Sequence, residues 1–160
     1  MLLVASYDIV FQEIPGEVTL ALNLSACSNA CPGCHSAYLQ AVVGEPLGED
    51  MLGRLLDRYG RAVSCVAFMG GDGDPGEVNR LARLVRSSGE HGGLKTAWYS
   101  GRAEKAPEVD LKNLNYIKLG PYVERFGGLD SPTTNQRFYR VEPDETLTDM
   151  TSHFVKKSLL

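Results

Sequence analysis

The sequence predicts an α/β fold built on a mostly parallel sheet. Apolar runs of strand length alternate with amphipathic stretches of helical length, and glycine or proline closes almost every run. At 160 residues the chain suffices for one domain with a real core and hardly for two, so residues 1–160 are read as a single domain.

Met1 to Ala5 is apolar, but no basic region precedes it and Asp8 soon interrupts, so it reads as an early strand or arm and not a signal peptide. Val18 to Leu24 alternates large apolar residues with smaller or polar ones, a strand with one strongly apolar face. It runs directly into a loop holding three cysteines. From Gly48 to Tyr59 the apolar positions Met51, Leu52, Leu55, Leu56 and Tyr59 share one helical face, and Gly60 stops the helix. Ser64 to Met69 is a continuous apolar run closed by Gly70-Gly71, as expected of a strand covered on both faces.

A second helix follows, with Asp74 as cap, Pro75 in the first turn and Glu77 at the capping-box spacing. Its apolar face is Val78, Leu81, Ala82 and Val85, and Gly89 ends it. Leu94 to Ser100 and Tyr116 to Leu119 read as the next strands, with a short helix expected between Ala103 and Leu114 despite Pro107. From about Glu142 no pattern stands out. In this arrangement the Cys, Gly-Gly and Ser-Gly segments all follow strand carboxyl ends, where α/β sheets bind ligands.

Composition excludes several classes. Hydrophobic residues make up 43 % and charged residues 22 %, unlike disordered chains. Net charge is −4 with no block of Lys or Arg, which argues against a nucleic-acid surface. No apolar run approaches the roughly 20 residues of a membrane helix.

Three of the four cysteines crowd one segment, Cys27-Ser28-Asn29-Ala30-Cys31-Pro32-Gly33-Cys34. Such a layout suits metal binding better than a disulfide framework. Thiolates select zinc or iron–sulfur clusters. A closed zinc site needs a fourth ligand, for which His35 is the nearest candidate. A [4Fe–4S] cluster held by three cysteines keeps one iron without a protein ligand. Cys65 stands apart in an apolar run and reads as a buried, inert thiol.

The C-x3-C-x2-C spacing at the end of an early strand resembles the signature of the radical S-adenosylmethionine superfamily. More narrowly, Cys31-Pro32-Gly33-Cys34 is similar to the cysteine loop of the activating proteins of anaerobic (class III) ribonucleotide reductases. Asp8-Ile9-Val10 with Pro15-Gly16, Gly70-Gly71-Asp72, Trp98-Tyr99-Ser100-Gly101, Leu119-Gly120-Pro121-Tyr122 and Thr133-Thr134-Asn135-Gln136-Arg137 resemble further family segments in the same order. The resemblance spans about residues 7 to 140. His35 departs from it where an aromatic is common, as does Leu119 where an acidic residue is common.

The resemblance implies an incomplete βα barrel, since a full eightfold barrel takes about 250 residues. It implies a [4Fe–4S] cluster on Cys27, Cys31 and Cys34, with S-adenosylmethionine bound at the open iron. One-electron cleavage then gives methionine and a 5′-deoxyadenosyl radical, which abstracts a glycine hydrogen from the reductase's catalytic subunit. An electron donor such as a flavodoxin or ferredoxin and an oxygen-free cytoplasm are implied as well. Contacts to S-adenosylmethionine are expected from Gly33, Cys34, His35, Gly70, Gly71, Asp72 and Ser100, with no catalytic side chain beyond the cluster and S-adenosylmethionine.

Blander readings stand beside these. Gly70-Gly71-Asp72 also suits a plain strand-to-helix turn, His35 an exposed loop residue, and Trp98 and Tyr99 the core. Asn135, Gln136 and Arg137 suit either a ligand or a turn before a strand at Phe138, and His91 and His153 read as surface residues. Alternative functions are an activase of another glycyl radical enzyme, an iron–sulfur electron-transfer module with Cys65 as fourth ligand, and a zinc-stabilised binding module.

Overall fold

The computed structural model describes residues 1–34, 37–89 and 93–155. In chain order it contains β1 (Leu2–Val10), β2 (Thr19–Leu24), β3 (Glu45–Leu47), α1 (Glu49–Tyr59), β4 (Cys65–Met69), α2 (Pro75–Ser87), β5 (Lys95–Tyr99), β6 (Tyr116–Leu119), β7 (Arg137–Val141) and β8 (Leu147–Asp149). The strands form one sheet in the order β3-β1-β2-β4-β5-β6-β7-β8. The α/β class holds, but the sheet is mixed and not mostly parallel. The pairs β2/β4, β4/β5 and β5/β6 are parallel. The four flanking pairs are antiparallel. Parallel neighbours need crossover connections, which the chain supplies between β2 and β4, β4 and β5, and β5 and β6.

The large inward residues of β2, β4, β5 and β6 (Leu20, Leu22, Leu24, Val66, Phe68, Trp98 and Ile117) pack with α1 and α2 in one buried cluster. The other face carries small side chains in register: Ala21, Ala67 and Ala97 are neighbours across β2, β4 and β5. That shallow face is covered by Ile14, Phe138 and Phe154 instead of helices.

Local signals mostly act as expected. The Asp74 carboxylate accepts from Glu77 N at 3.3 Å, capping α2 over Pro75 at its start. The reciprocal half of the capping box is missing, because Glu77 pairs with Arg80 at 2.7 Å. The helix expected between Ala103 and Leu114 is replaced by an irregular crossover with one 3-10 turn at Leu111–Asn113. Pro107 lacks an N–H, and Ala106 and Val109 anchor the segment by burial instead. The stretch beyond Glu142, which shows no pattern in the sequence, closes a β7–β8 hairpin and contains a 3-10 turn at Thr151–Phe154.

Candidate functional site at the carboxyl ends of the parallel strands

Parallel pairing brings the carboxyl ends of β2, β4, β5 and β6 to one edge of the sheet. Asn23, Met69, Tyr99 and Lys118 form the last row on the alanine-bearing face, adjacent in register. Above this row opens a cleft of about 640 Å³ lined by Cys27, Cys31, Cys34, Gly70, Tyr99 and Lys118, among others. A smaller cavity of about 200 Å³ continues beneath the same cysteines to Asn23 and Met69.

The cysteine loop leaves β2 under close control. Ser25 N donates to Leu3 O at 2.9 Å, Ala26 N to Ala41 O and Cys27 N to Leu39 O at 3.0 Å each. Ala26, Ala30 and Gly33 adopt left-handed φ values of 58°, 46° and 72°. Repeated excursions of this kind curl a short loop and turn backbone N–H groups inward, a geometry suited to anions. The three thiols are half-buried and unbridged. Among the described residues, no three His, Cys, Asp or Glu side chains converge on one metal ion.

Beyond Cys27 the loop is tied to the sheet by Asn29. Its Nδ2 donates to Asp72 Oδ2 at 2.5 Å and lies 3.8 Å from Cys27 Sγ. Asp72 is 2 % exposed, and its carboxylate also accepts from Ser100 Oγ at 2.6 Å and Gly101 N at 2.7 Å. Arg102 closes the knot, with Nη2 donating to Asp72 O at 2.9 Å and its backbone N to Ser100 Oγ at 3.1 Å. Gly101 leaves room for this bond: a Cβ would stand 2.5 Å from Asn29 Nδ2 and push that side chain aside.

Lys118 is the buried cation of the site, 8 % exposed. Its Nζ donates to Gly120 O at 2.9 Å and Ser100 O at 3.1 Å, which spends two of its three N–H groups. Burial pulls its pKa down to about 8, against the opposing pull of Asp72 and the three cysteines.

The residues expected around S-adenosylmethionine thus separate. Cys34 and Gly70 line the cleft. Gly70 sits at φ 105°, and its carbonyl accepts from Trp98 Nε1 at 2.8 Å. Asp72 also borders the cleft, but all its contacts above are to the protein. Gly71, at φ 95°, serves packing: a Cβ there would meet Val78 Cγ2 at 2.7 Å. Ser100 is fully buried and its hydroxyl is committed to Asp72. Gly33 lies on the exposed side of the loop, where a Cβ would touch Glu124 at 3.2 Å. His35 lies outside the described residues, as does His91. Of the Thr-Thr-Asn-Gln-Arg segment, Gln136 reaches the cleft, Asn135 Nδ2 donates to Pro121 O at 3.0 Å, and Arg137 is exposed on β7. Tyr99 is both core and wall, its hydroxyl donating to Glu13 O while its ring lies edge-on to Phe138.

Cys65 is fully buried at the opposite end of β4, about 13 Å of strand away from Met69. Burial and the nearby Glu17 push its thiol up to about 12. Sequence reasoning missed Asn29 and Lys118. A signal existed for the second, a lysine within Tyr116-Ile117-Lys118-Leu119, an otherwise apolar strand directly before Gly120-Pro121. No family model, curated protein or solved structure matches this chain.

Proposed function

We propose that the chain is a radical S-adenosylmethionine enzyme whose Cys27, Cys31 and Cys34 hold a [4Fe–4S] cluster, and that it activates a glycyl radical enzyme, the anaerobic ribonucleotide reductase. The observation carrying this reading is that all three thiols line one cleft, together with a buried ammonium and a bare glycine backbone, at the carboxyl ends of parallel strands. The central strands with α1 and α2 outside them are, in this reading, an arc of an incomplete βα barrel whose open side admits the substrate backbone.

When bound, the reduced cluster and S-adenosylmethionine supply a one-electron C–S cleavage whose 5′-deoxyadenosyl radical takes a hydrogen from a glycine of the reductase. The chain's own residues bind and orient. Lys118 offers its remaining N–H and its positive charge to a carboxylate, such as that of the methionine moiety. Gly70, lacking a side chain, lets an amino group approach the strand end closely. Asp72, Ser100 and Asn29 act as positioning residues: they hold the cysteine loop against β4 and β5. No side chain is required as acid or base, because the chemistry belongs to the cofactors.

The four-cysteine electron-transfer reading loses its fourth ligand, since Cys65 faces the far end of the sheet. Among the described residues no helix is long and apolar enough to cross a membrane. An oxygen-free cytoplasm and a flavodoxin- or ferredoxin-like electron donor belong to the same proposal. The test is anaerobic incubation of the reconstituted, reduced protein with S-adenosylmethionine and the reductase. Methionine, 5′-deoxyadenosine and a glycyl EPR doublet on the reductase support the proposal. Cofactor cleavage without the doublet points to another glycyl radical enzyme, and absence of cleavage overturns the proposal.

A further inference from the structure

The far edge of the sheet carries a second feature. β3 covers the outer side of β1 only over Leu2–Val4, and the chain then turns away at Gly44, where a side chain would collide with the Val4 carbonyl. Among the described residues no strand lies against the outer edge of residues 5–10. An open edge presents unpaired N–H and C=O groups in strand spacing, a template for another strand. Between this edge and α1 runs a groove of about 540 Å³. Its floor includes Met51 and Leu55, and Ser6 and Tyr7 line it from the β1 side. Arg54 and Arg58, one helical turn apart and both exposed, line it from α1, with Glu45 as its acidic lining residue. The Arg58 guanidinium lies over the Tyr59 ring at 5.3 Å, and that ring meets Tyr7 at 5.9 Å.

We propose that this edge and groove form a docking site for an extended acidic segment of a partner protein, added to β1 as a further strand. Main-chain hydrogen bonds to β1 supply the affinity, and pairing of carboxylates with Arg54 and Arg58 supplies the selection. A second copy of the chain fits less well. Twofold pairing of two β1 edges would bring both arginine pairs to one seam, and β1 offers only Asp8 as an acid. The groove shares no lining residue with the cysteine cleft, and its peptide-binding test uses no cluster.

The test uses the full chain and a fluorescein-labelled octapeptide of alternating glutamate and valine, read by fluorescence anisotropy at low salt. Binding is expected to weaken about tenfold in Arg54→Glu, whose side chain is exposed and whose fold circular dichroism verifies. It should also weaken as salt rises, and vanish for an alternating lysine–valine peptide. An octapeptide N-methylated along one edge keeps its charge but cannot donate to β1, and it is expected not to bind. Equal binding of the N-methylated peptide overturns strand addition. No binding of the acidic peptide overturns the site. A dimer in sedimentation that dissociates in Ser6→Pro assigns the edge to a second copy and overturns the proposal.

Discussion

Replacing Asn29 tests how the cysteine loop is held. Among the described residues, the backbone bond within Cys27–Cys34 is Cys34 N to Cys31 O at 3.2 Å, which does not tie the loop to the sheet. That tie comes from the 2.5 Å bond of Asn29 Nδ2 to the buried Asp72 carboxylate. A hydrogen bond to a charged group contributes about 1.5–3 kcal/mol, and the half-buried position of Asn29 puts it near 1.5. Asp72 keeps Ser100 Oγ and Gly101 N, so Asn29→Ala leaves no buried carboxylate orphaned. The expected loss of about 1.5 kcal/mol lowers Tm by roughly 3–6 °C for a domain of this size. It also raises the rate of iron loss to a chelator about tenfold, because the same free energy no longer holds the ligands in place. Asn29→Asp should be worse, since a second carboxylate facing Asp72 adds repulsion of up to about 4 kcal/mol at an effective dielectric of 20. The assay is thermal unfolding of the apo-protein together with chelator-challenged iron release from the reconstituted protein. An Asn29→Asp variant that keeps iron as well as the parent would refute the clasp.

Three further outcomes follow from the same geometry. Gly101→Ala puts a Cβ against Asn29 Nδ2 and should reproduce the iron loss of Asn29→Ala, although residue 101 touches no cysteine; iron retention measures it. Lys118→Met keeps the bulk of the side chain and removes the ammonium; iron content should stay near the parent value while S-adenosylmethionine affinity, by equilibrium dialysis, falls at least tenfold. In the folded apo-protein at pH 8 the three loop thiols should react with a disulfide reagent and Cys65 should not, because burial holds its thiol protonated up to about 12. The accompanying stability is present below the unfolded thiol pKa and is lost as pH rises from about 9 toward 12, which denaturant midpoints across that range would record.

The cysteine loop and the edge of the sheet that carries it were legible in the sequence. Cysteine spacing is local, and Gly70-Gly71 and Ser100-Gly101 terminate apolar runs whose parallel order puts them side by side. The internal organisation of the site was not legible. Gly71 and Ser100 look like ligand contacts from sequence, yet one packs against Val78 and the other is spent on Asp72, and only tertiary neighbours decide that. Lys118 projects from a strand whose pattern reads as core, and burial of an ammonium is dictated by the carbonyls of Ser100 and Gly120 from other turns. The edge strands escaped notice for a related reason. β3 has three residues and contains Pro46, too little for a periodic signal, and it exists because β1 offers it an edge. The alanine row is visible in sequence only once the registers of β2, β4 and β5 are known.

The most direct measurement of the central claim is EPR of the anaerobically reconstituted, reduced protein with and without S-adenosylmethionine. A [4Fe–4S]⁺ signal that shifts on adding S-adenosylmethionine, and is lost in Cys31→Ala, is the predicted result. A cluster signal indifferent to S-adenosylmethionine, or zinc bound in place of iron, would contradict it.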